Sequence, residues 1–212
     1  MKKTFVKICG ITNREDAATA IQSGADAVGF VFYPKSPRFI SIETAQAICR
    51  SIPSNIMKIG VVVNVENSDN VLFETLDFLD YFQIYGEIDK SVIERLGHKI
   101  IKPFSVSDPF SEECLHTYQR CSLFLFDTAV NGYYGGTGKT FNWGIFNRIP
   151  RTKPIILAGG LNENNVIEAI KHVKPFMVDV SSSVEIIPGK KDAQKIKRFI
   201  AACRQADAID AL

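Results

Sequence analysis

A chain of 212 residues, 46% hydrophobic and 23% charged, is long enough for one domain with a sizeable core. Its net charge of +2 implies no general nucleic-acid or membrane-surface role, and no apolar run approaches the roughly 20 residues of a membrane span. Five cysteines (Cys9, Cys49, Cys114, Cys121 and Cys203) with no C-x-x-C pair suggest neither a disulfide framework nor a zinc site, and fit a reducing, cytoplasmic compartment. Lys7 interrupts the N-terminal apolar residues, which argues against a signal peptide.

In chain order, Phe5 to Gly10 reads as a first strand, with Phe5, Lys7 and Cys9 on one face and Val6 and Ile8 on the other. Asn13 or Thr12 can cap a helix that ends at Gly24. Ala27 to Phe32 is a second, buried strand, followed by a loop with two prolines and Arg38. Ser41 caps a helix to about Ser51. Met57 to Val63 is a strongly β-branched third strand. A helix from Asn67 or Ser68 to about Leu79 leads to a short fourth strand, Tyr81 to Ile84. A helix from Asp89 to Leu96, a fifth strand from His98 to Lys102 and a helix from Ser111 to Tyr118 follow.

Ser122 to Asp127 is the sixth strand, an aromatic-rich apolar run that ends in a carboxylate. After it comes the cluster Gly135-Gly136-Thr137-Gly138-Lys139-Thr140. Its glycine spacing is not that of a P-loop. It reads either as an ordinary tight turn or as a loop whose backbone N–H groups approach an oxyanion. A short helix spans Trp143 to Asn147. Pro154 to Ala158 is a seventh strand, Asn162 caps a helix from Glu163 to His172, and Phe176 to Val180 is an eighth strand. The last helix runs from about Asp192 to Arg204, with a frayed or weakly helical tail. Eight strands alternating with helices imply parallel strands joined by right-handed crossovers. That number predicts a closed (β/α)8 TIM barrel over residues 1–212 as one domain.

In such a barrel the active site lies at the strand C-termini. Those ends carry Cys9, the Arg38 loop, Asn64, a Tyr85-Gly86 corner, a Pro103-Phe104 corner, Asp127, Gly159-Gly160, and Asp179 through Ser183. Cys9 and Asp127 form a candidate base and acid across one mouth, with Lys7 as a possible source of a lowered thiol pKa. The alternatives are a small buried cysteine and a turn-capping aspartate. Gly159-Gly160 and Ser181-Ser182-Ser183 suit a phosphate on backbone N–H groups, or are simply tight turns and caps. Arg38 is a candidate carboxylate clamp or a solvated loop residue. His98, His116 and His172 are scattered, so no metal site is expected.

Together the motifs Lys7-Ile8-Cys9-Gly10-Ile11-Thr12, Gly29-Phe30-Val31-Phe32 with Ser36-Pro37-Arg38, Gly135 to Phe141, Leu157-Ala158-Gly159-Gly160-Leu161 and Asp179-Val180-Ser181-Ser182 resemble the phosphoribosylanthranilate isomerase family of tryptophan biosynthesis. The resemblance covers nearly the whole chain. It implies a cofactor-free Amadori rearrangement of N-(5-phosphoribosyl)anthranilate, a small phosphosugar, by a monomer or homodimer, with no nucleic-acid or membrane partner. Carried over, Asp127 is the general acid and Cys9 the general base. The implied substrate-binding set is Arg38, Gly159, Gly160, Asp179, Ser182 and Ser183, with the Gly135 to Gly138 loop closing over the substrate.

Three departures stand out. The chain reads Gln83-Ile84-Tyr85-Gly86 where the family usually has Gln-Leu-His-Gly. Ser183 stands for a usual glycine, and Asn142 for a usual aspartate. Indole-glycerol-phosphate synthase, which shares the barrel and phosphate logic, relies on lysine and glutamate at the strand ends where this chain offers Cys9. A non-catalytic phosphosugar-binding barrel would have no use for Cys9 and Asp127.

Overall fold

Eight parallel strands close on themselves in chain order: β1 (Phe5–Cys9), β2 (Ala27–Val31), β3 (Met57–Val65), β4 (Tyr81–Ile88), β5 (Ile100–Val106), β6 (Leu123–Thr128), β7 (Ile155–Leu157) and β8 (Met177–Val180). β8 pairs back to β1 through Phe5↔Met177 to Ile8↔Val180. The computed structural model describes residues 3–65, 70–106, 113–128 and 142–209. The expected helix starts at Asn67, Ser68 and Ser111, and the Gly135 to Thr140 cluster, lie outside the described residues.

The helices are α1 (Arg14–Gln22), α2 (Ile42–Cys49), α3 (Asn70–Thr75), α4 (Lys90–Leu96), α5 (Glu113–Thr117), α6 (Val166–Val173) and α7 (Ala193–Ile209), with a 3₁₀ turn over Trp143–Asn147 between β6 and β7. Short polar side chains start several of them. Asn13, Ser41 and Asp89 accept from the backbone N–H groups of Asp16, Thr44 and Ser91, each satisfying an orphan first-turn donor. α6 begins later than expected, because Asn162 spends its side chain on the N–H of Asn164 in a turn and Asn165 takes the cap position. α7 continues past Arg204 to Ile209, where a frayed or weakly helical tail was expected, so the helical alternative holds. Cys203 and Ala206 are buried, and Arg204 donates to the Thr4 carbonyl and to Asp26, tying the last turns to the start of β1.

Period-2 alternation sorts the strand residues between two cores. Val6, Ile8, Val28, Phe30, Phe82, Ile84, Phe124 and Phe126 point outward, into the layer shared with the helices. Ala27, Ile59, Ile101, Leu125, Ile156 and Met177 fill the barrel interior. Above them, toward the strand C-termini, the interior turns polar with Lys7, Gln83, Asp127 and Asp179, all buried.

Three strands run longer than the sequence suggests, β3 by two residues, to Val65. β4 continues through Tyr85 to Ile88, and β5 starts at Ile100 and reaches Val106. Pro103 has no N–H to give, and the β4–β5 ladder ends at Gln83↔Ile101 while the β5–β6 ladder continues to Val106↔Thr128. Phe104 therefore belongs not to a mouth corner but to the outer layer, where its ring meets Phe124, Phe126 and Tyr118. A small antiparallel hairpin, β9 (Glu185–Ile187) with β10 (Lys190–Lys191), follows β8. Its turn has Pro188 and then Gly189 at φ +84°, the chemistry of a type II turn. Among the described residues no helix is long and apolar enough to cross a membrane.

Candidate active site

Cys9 and Asp127 line one cavity at the C-terminal mouth of the barrel, together with Arg38, Gly159, Gly160, Asp179 and Ser182. Ser183 turns its side chain away from this cavity: the hydroxyl donates to the Leu161 carbonyl at 2.5 Å, and the residue lines a separate outer recess beside α7. Ser183 carries no positive φ, so its position does not demand a glycine.

Cys9 ends β1, and its neighbour in the β1–β2 register is Gly29. A Cβ at Gly29 would lie 2.8 Å from Cys9 Sγ and 3.0 Å from Lys7 Cε, so glycine is what leaves room for the thiol. Gly29→Ala is expected to push Sγ aside and lower kcat by about 10²-fold, the scale of a misplacement near 1 Å. A steady-state assay beside a melting curve checks this; an unchanged kcat would mean that the thiol's placement does not matter.

Burial pushes the Cys9 thiol above its ordinary value; Lys7 pulls against that rise and Asp179 adds to it. The expected lowering by Lys7 is thus present but outweighed. The Lys7 side chain is fully buried, where burial opposes its charge. Asp179, then Cys9, outweigh that and hold the ammonium above its usual value. Lys7 Nζ donates to Asp179 Oδ2 at 2.7 Å and to Gln83 Oε1 at 3.0 Å. Asp179 Oδ1 is buried and has no hydrogen-bond partner among the described residues. An acceptor held in a pocket without a donor is poised for one from a ligand.

Arg38 is not solvated. Its Nε and Nη2 donate to the two carboxyl oxygens of Glu185 at 2.9 and 2.7 Å, and Lys191 Nζ donates to the same carboxylate at 2.7 Å. The β9–β10 hairpin therefore fixes the guanidinium at the rim, a fork-to-fork pairing that leaves its remaining N–H groups for a ligand. Composition of the Ile187-Pro188-Gly189-Lys190 turn signals this hairpin, but nothing in the sequence signals that its charges grip Arg38.

Burial would raise the Glu185 carboxyl, but Arg38 and Lys191 hold it below its ordinary 4.5. A carboxylate depressed in the fold contributes stability that is present above its unfolded value and drains as pH falls through the folded one. Glu185→Gln is therefore expected to flatten the loss of melting temperature on acidification below about pH 4.5. Parallel slopes for the two proteins would remove Glu185 from that role.

Gly159 and Gly160 have φ of +86° and +63°, which bends the chain tightly after β7. Ser182 opens a short 3₁₀ turn after β8. Apolar side chains complete the mouth: Val31 and Val61 pack with Cys9 and Tyr85, and Tyr33 and Val63 flank them. Among the described residues no group of three or more His, Cys, Asp or Glu is placed to hold a metal ion.

A closed parallel barrel that gathers a thiol, a carboxyl, a fixed arginine and two tight turns at the carboxyl ends of its strands has the layout of a (β/α)8-barrel enzyme. The family model described as N-(5'phosphoribosyl)anthranilate (PRA) isomerase matches residues 6–202. The N-(5'-phosphoribosyl)anthranilate isomerase of Pelobacter propionicus is 45% identical over 202 residues, covering 94% of this chain and 95% of its own. The crystal structure of phosphoribosyl anthranilate isomerase from Thermotoga maritima superposes with a TM-score of 0.83 at 40% identity, covering 95% of this chain and 99% of that one. A phosphoribosyl anthranilate isomerase in complex with reduced 1-(o-carboxyphenylamino)-1-deoxyribulose 5-phosphate gives a TM-score of 0.80 at 38% identity, with the same coverage. The chain belongs to the phosphoribosylanthranilate isomerase family.

Proposed function

We infer that this chain is an isomerase that converts N-(5'-phosphoribosyl)anthranilate to 1-(2-carboxyphenylamino)-1-deoxyribulose 5-phosphate, a step of tryptophan biosynthesis. The observation that carries the reading is the placement of Cys9 and Asp127 on the wall of one cavity that also holds Arg38 and the Gly159-Gly160 and Ser182 turns.

In this reading Asp127 protonates the furanose ring oxygen. The bond from that oxygen to C1' breaks, and the nitrogen lone pair forms the C1'=N iminium. Cys9, as thiolate, removes the proton from C2'. The released electron pair forms C1'=C2' and neutralises the iminium, giving an enolamine. Loss of the O2' proton and gain of one at C1' complete the ketone. Electrons pass from C2' to C1' within the substrate, so no external oxidant or reductant is required. The raised thiol is reconciled with a basic role by timing: the iminium charge appears one carbon from the proton that Cys9 takes, and Lys7 lies beside it.

Binding follows the same wall. The remaining N–H groups of Arg38 receive the anthranilate carboxylate, and Val31, Val61 and Tyr33 flank the aromatic ring. The backbone N–H groups of the Gly159-Gly160 and Ser182 turns, with that of Ser183 behind, receive the phosphate. Asp179 Oδ1 accepts from a sugar hydroxyl. The enzyme works on this small phosphosugar without a cofactor, in the cytoplasm, as a monomer or homodimer. Expression in a bacterium that lacks its own phosphoribosylanthranilate isomerase is expected to restore growth without tryptophan. Soluble protein without growth would overturn the reading.

A further inference from the structure

Across the mouth runs a line of hydrogen bonds that the proposed chemistry does not use. It goes from Asp179 on β8 through Lys7 on β1, then Gln83 and Tyr85 on β4, to Asp127 on β6. The chemistry of each group fixes its direction. An ammonium has no acceptor, so Lys7 can face only the amide oxygen of Gln83. That turns Gln83 Nε2 toward Tyr85, where it donates to the phenol oxygen at 3.1 Å. The phenol proton then points on to Asp127 Oδ2, at 3.5 Å. Burial, and after it the charge of Asp127, push the ionisation of Tyr85 well above its ordinary value, so the phenol keeps that proton. Tyr85 packs against Cys9, Val31 and Val61, which hold its ring in place.

We propose that Tyr85 is the positioning residue of the acid: its phenol occupies Oδ2 of Asp127 and thereby sets the transferable proton on Oδ1. A proton on Oδ2 would face the phenol hydrogen head-on, so the protonated acid carries it on the other oxygen. The same bond favours the ionised carboxyl and makes Asp127 a stronger acid. At 3.5 Å the contact is long for an O–H···O bond, as catalytic contacts often are before substrate arrives. The inference rests on the reading of Asp127 as the acid.

The test uses the full chain with aspartate labelled at 13Cγ, the Asp127 resonance being assigned by its loss in Asp127→Asn. Tyr85→Phe keeps the ring and removes the hydroxyl. It is expected to raise the Asp127 titration midpoint by about half to one pH unit, the share of one hydrogen bond to a carboxylate. Its kcat is expected to fall about 5- to 20-fold with KM changed less than about twofold. Gln83→Met, which removes the donor to the phenol oxygen without touching Asp127, is expected to shift the midpoint the same way by less. An Asp127 midpoint that stays put in both variants overturns the inference, whatever happens to the rate. Full turnover by Asp127→Asn sinks the underlying acid assignment instead, so the two failures are distinguishable.

Discussion

Cys9→Ser and Asp127→Asn are each expected to keep the fold and to lose turnover of phosphoribosylanthranilate by about 10³-fold, within the 10²–10⁴ that a positioned acid or base contributes. A serine hydroxyl does not ionise near neutrality, so it can replace the thiol's volume but not its basicity. It also sits beside Lys7, which can donate to it, so the buried layer stays satisfied. Asparagine at 127 still presents an oxygen to Tyr85 but has no acidic proton to give. Both side chains line the cavity rather than the packed interior below it, so melting temperatures are expected to stay close to that of the parent. Turnover in the parent range by either variant would remove that residue from its role.

Lys7→Met has the second largest expected effect, and it falls on stability. The Lys7–Asp179 pair has side-chain exposures of 0% and 8%, with the charges 2.7 Å apart. Burial alone drives the Asp179 carboxyl upward, and Lys7 is what opposes this. Removing the cation strands a buried carboxylate, and breaking such a pair costs about 3–5 kcal/mol. Against a total of roughly 5–15 kcal/mol for a domain, that is a large fraction. Even beside Lys7, burial holds the Asp179 carboxyl above its ordinary value, and with Lys7 gone it rises further. The deficit is therefore greatest at neutral and alkaline pH and shrinks on acidification. Lys7→Met combined with Asp179→Asn is expected to regain most of the loss, since no lone charge is left. Urea melts of the single and double variants check this. Equal losses in both would mean that the charge pair is not what Lys7 contributes.

Much of this layout is legible in the chain. Alternation in Phe5-Val6-Lys7-Ile8-Cys9 sends Lys7 and Cys9 to the inside and Val6 and Ile8 to the helix layer, as the structure has them. Asn13, Ser41 and Asp89 mark helix starts because their side chains meet local donors. Eight alternating strands and helices point to the closed barrel, and the pairing of β8 to β1 completes it.

What escapes the sequence is set by long-range pairing. The extra length of β4 comes from its pairing to β3 up to Val65↔Ile88, and that of β5 from its pairing to β6, so the Pro103-Phe104 corner dissolves once β5 is paired through Val106. The grip of Glu185 on Arg38 spans 147 positions, and no local spacing encodes it. The Gln83–Tyr85–Asp127 line likewise joins β4 to β6, Tyr85 and Asp127 lying 42 positions apart in the chain. The bond from the Ser183 hydroxyl to the Leu161 carbonyl spans 22 positions and is also not written in any local spacing.

The most direct measurement mixes the purified chain with freshly generated phosphoribosylanthranilate and follows the fluorescence of the anthranilate group while product is identified by mass and chromatography. The account predicts enzyme-dependent conversion to the carboxyphenylamino deoxyribulose phosphate, proportional to protein concentration and abolished by Asp127→Asn. A folded parent protein that leaves the substrate to its spontaneous decay would contradict it.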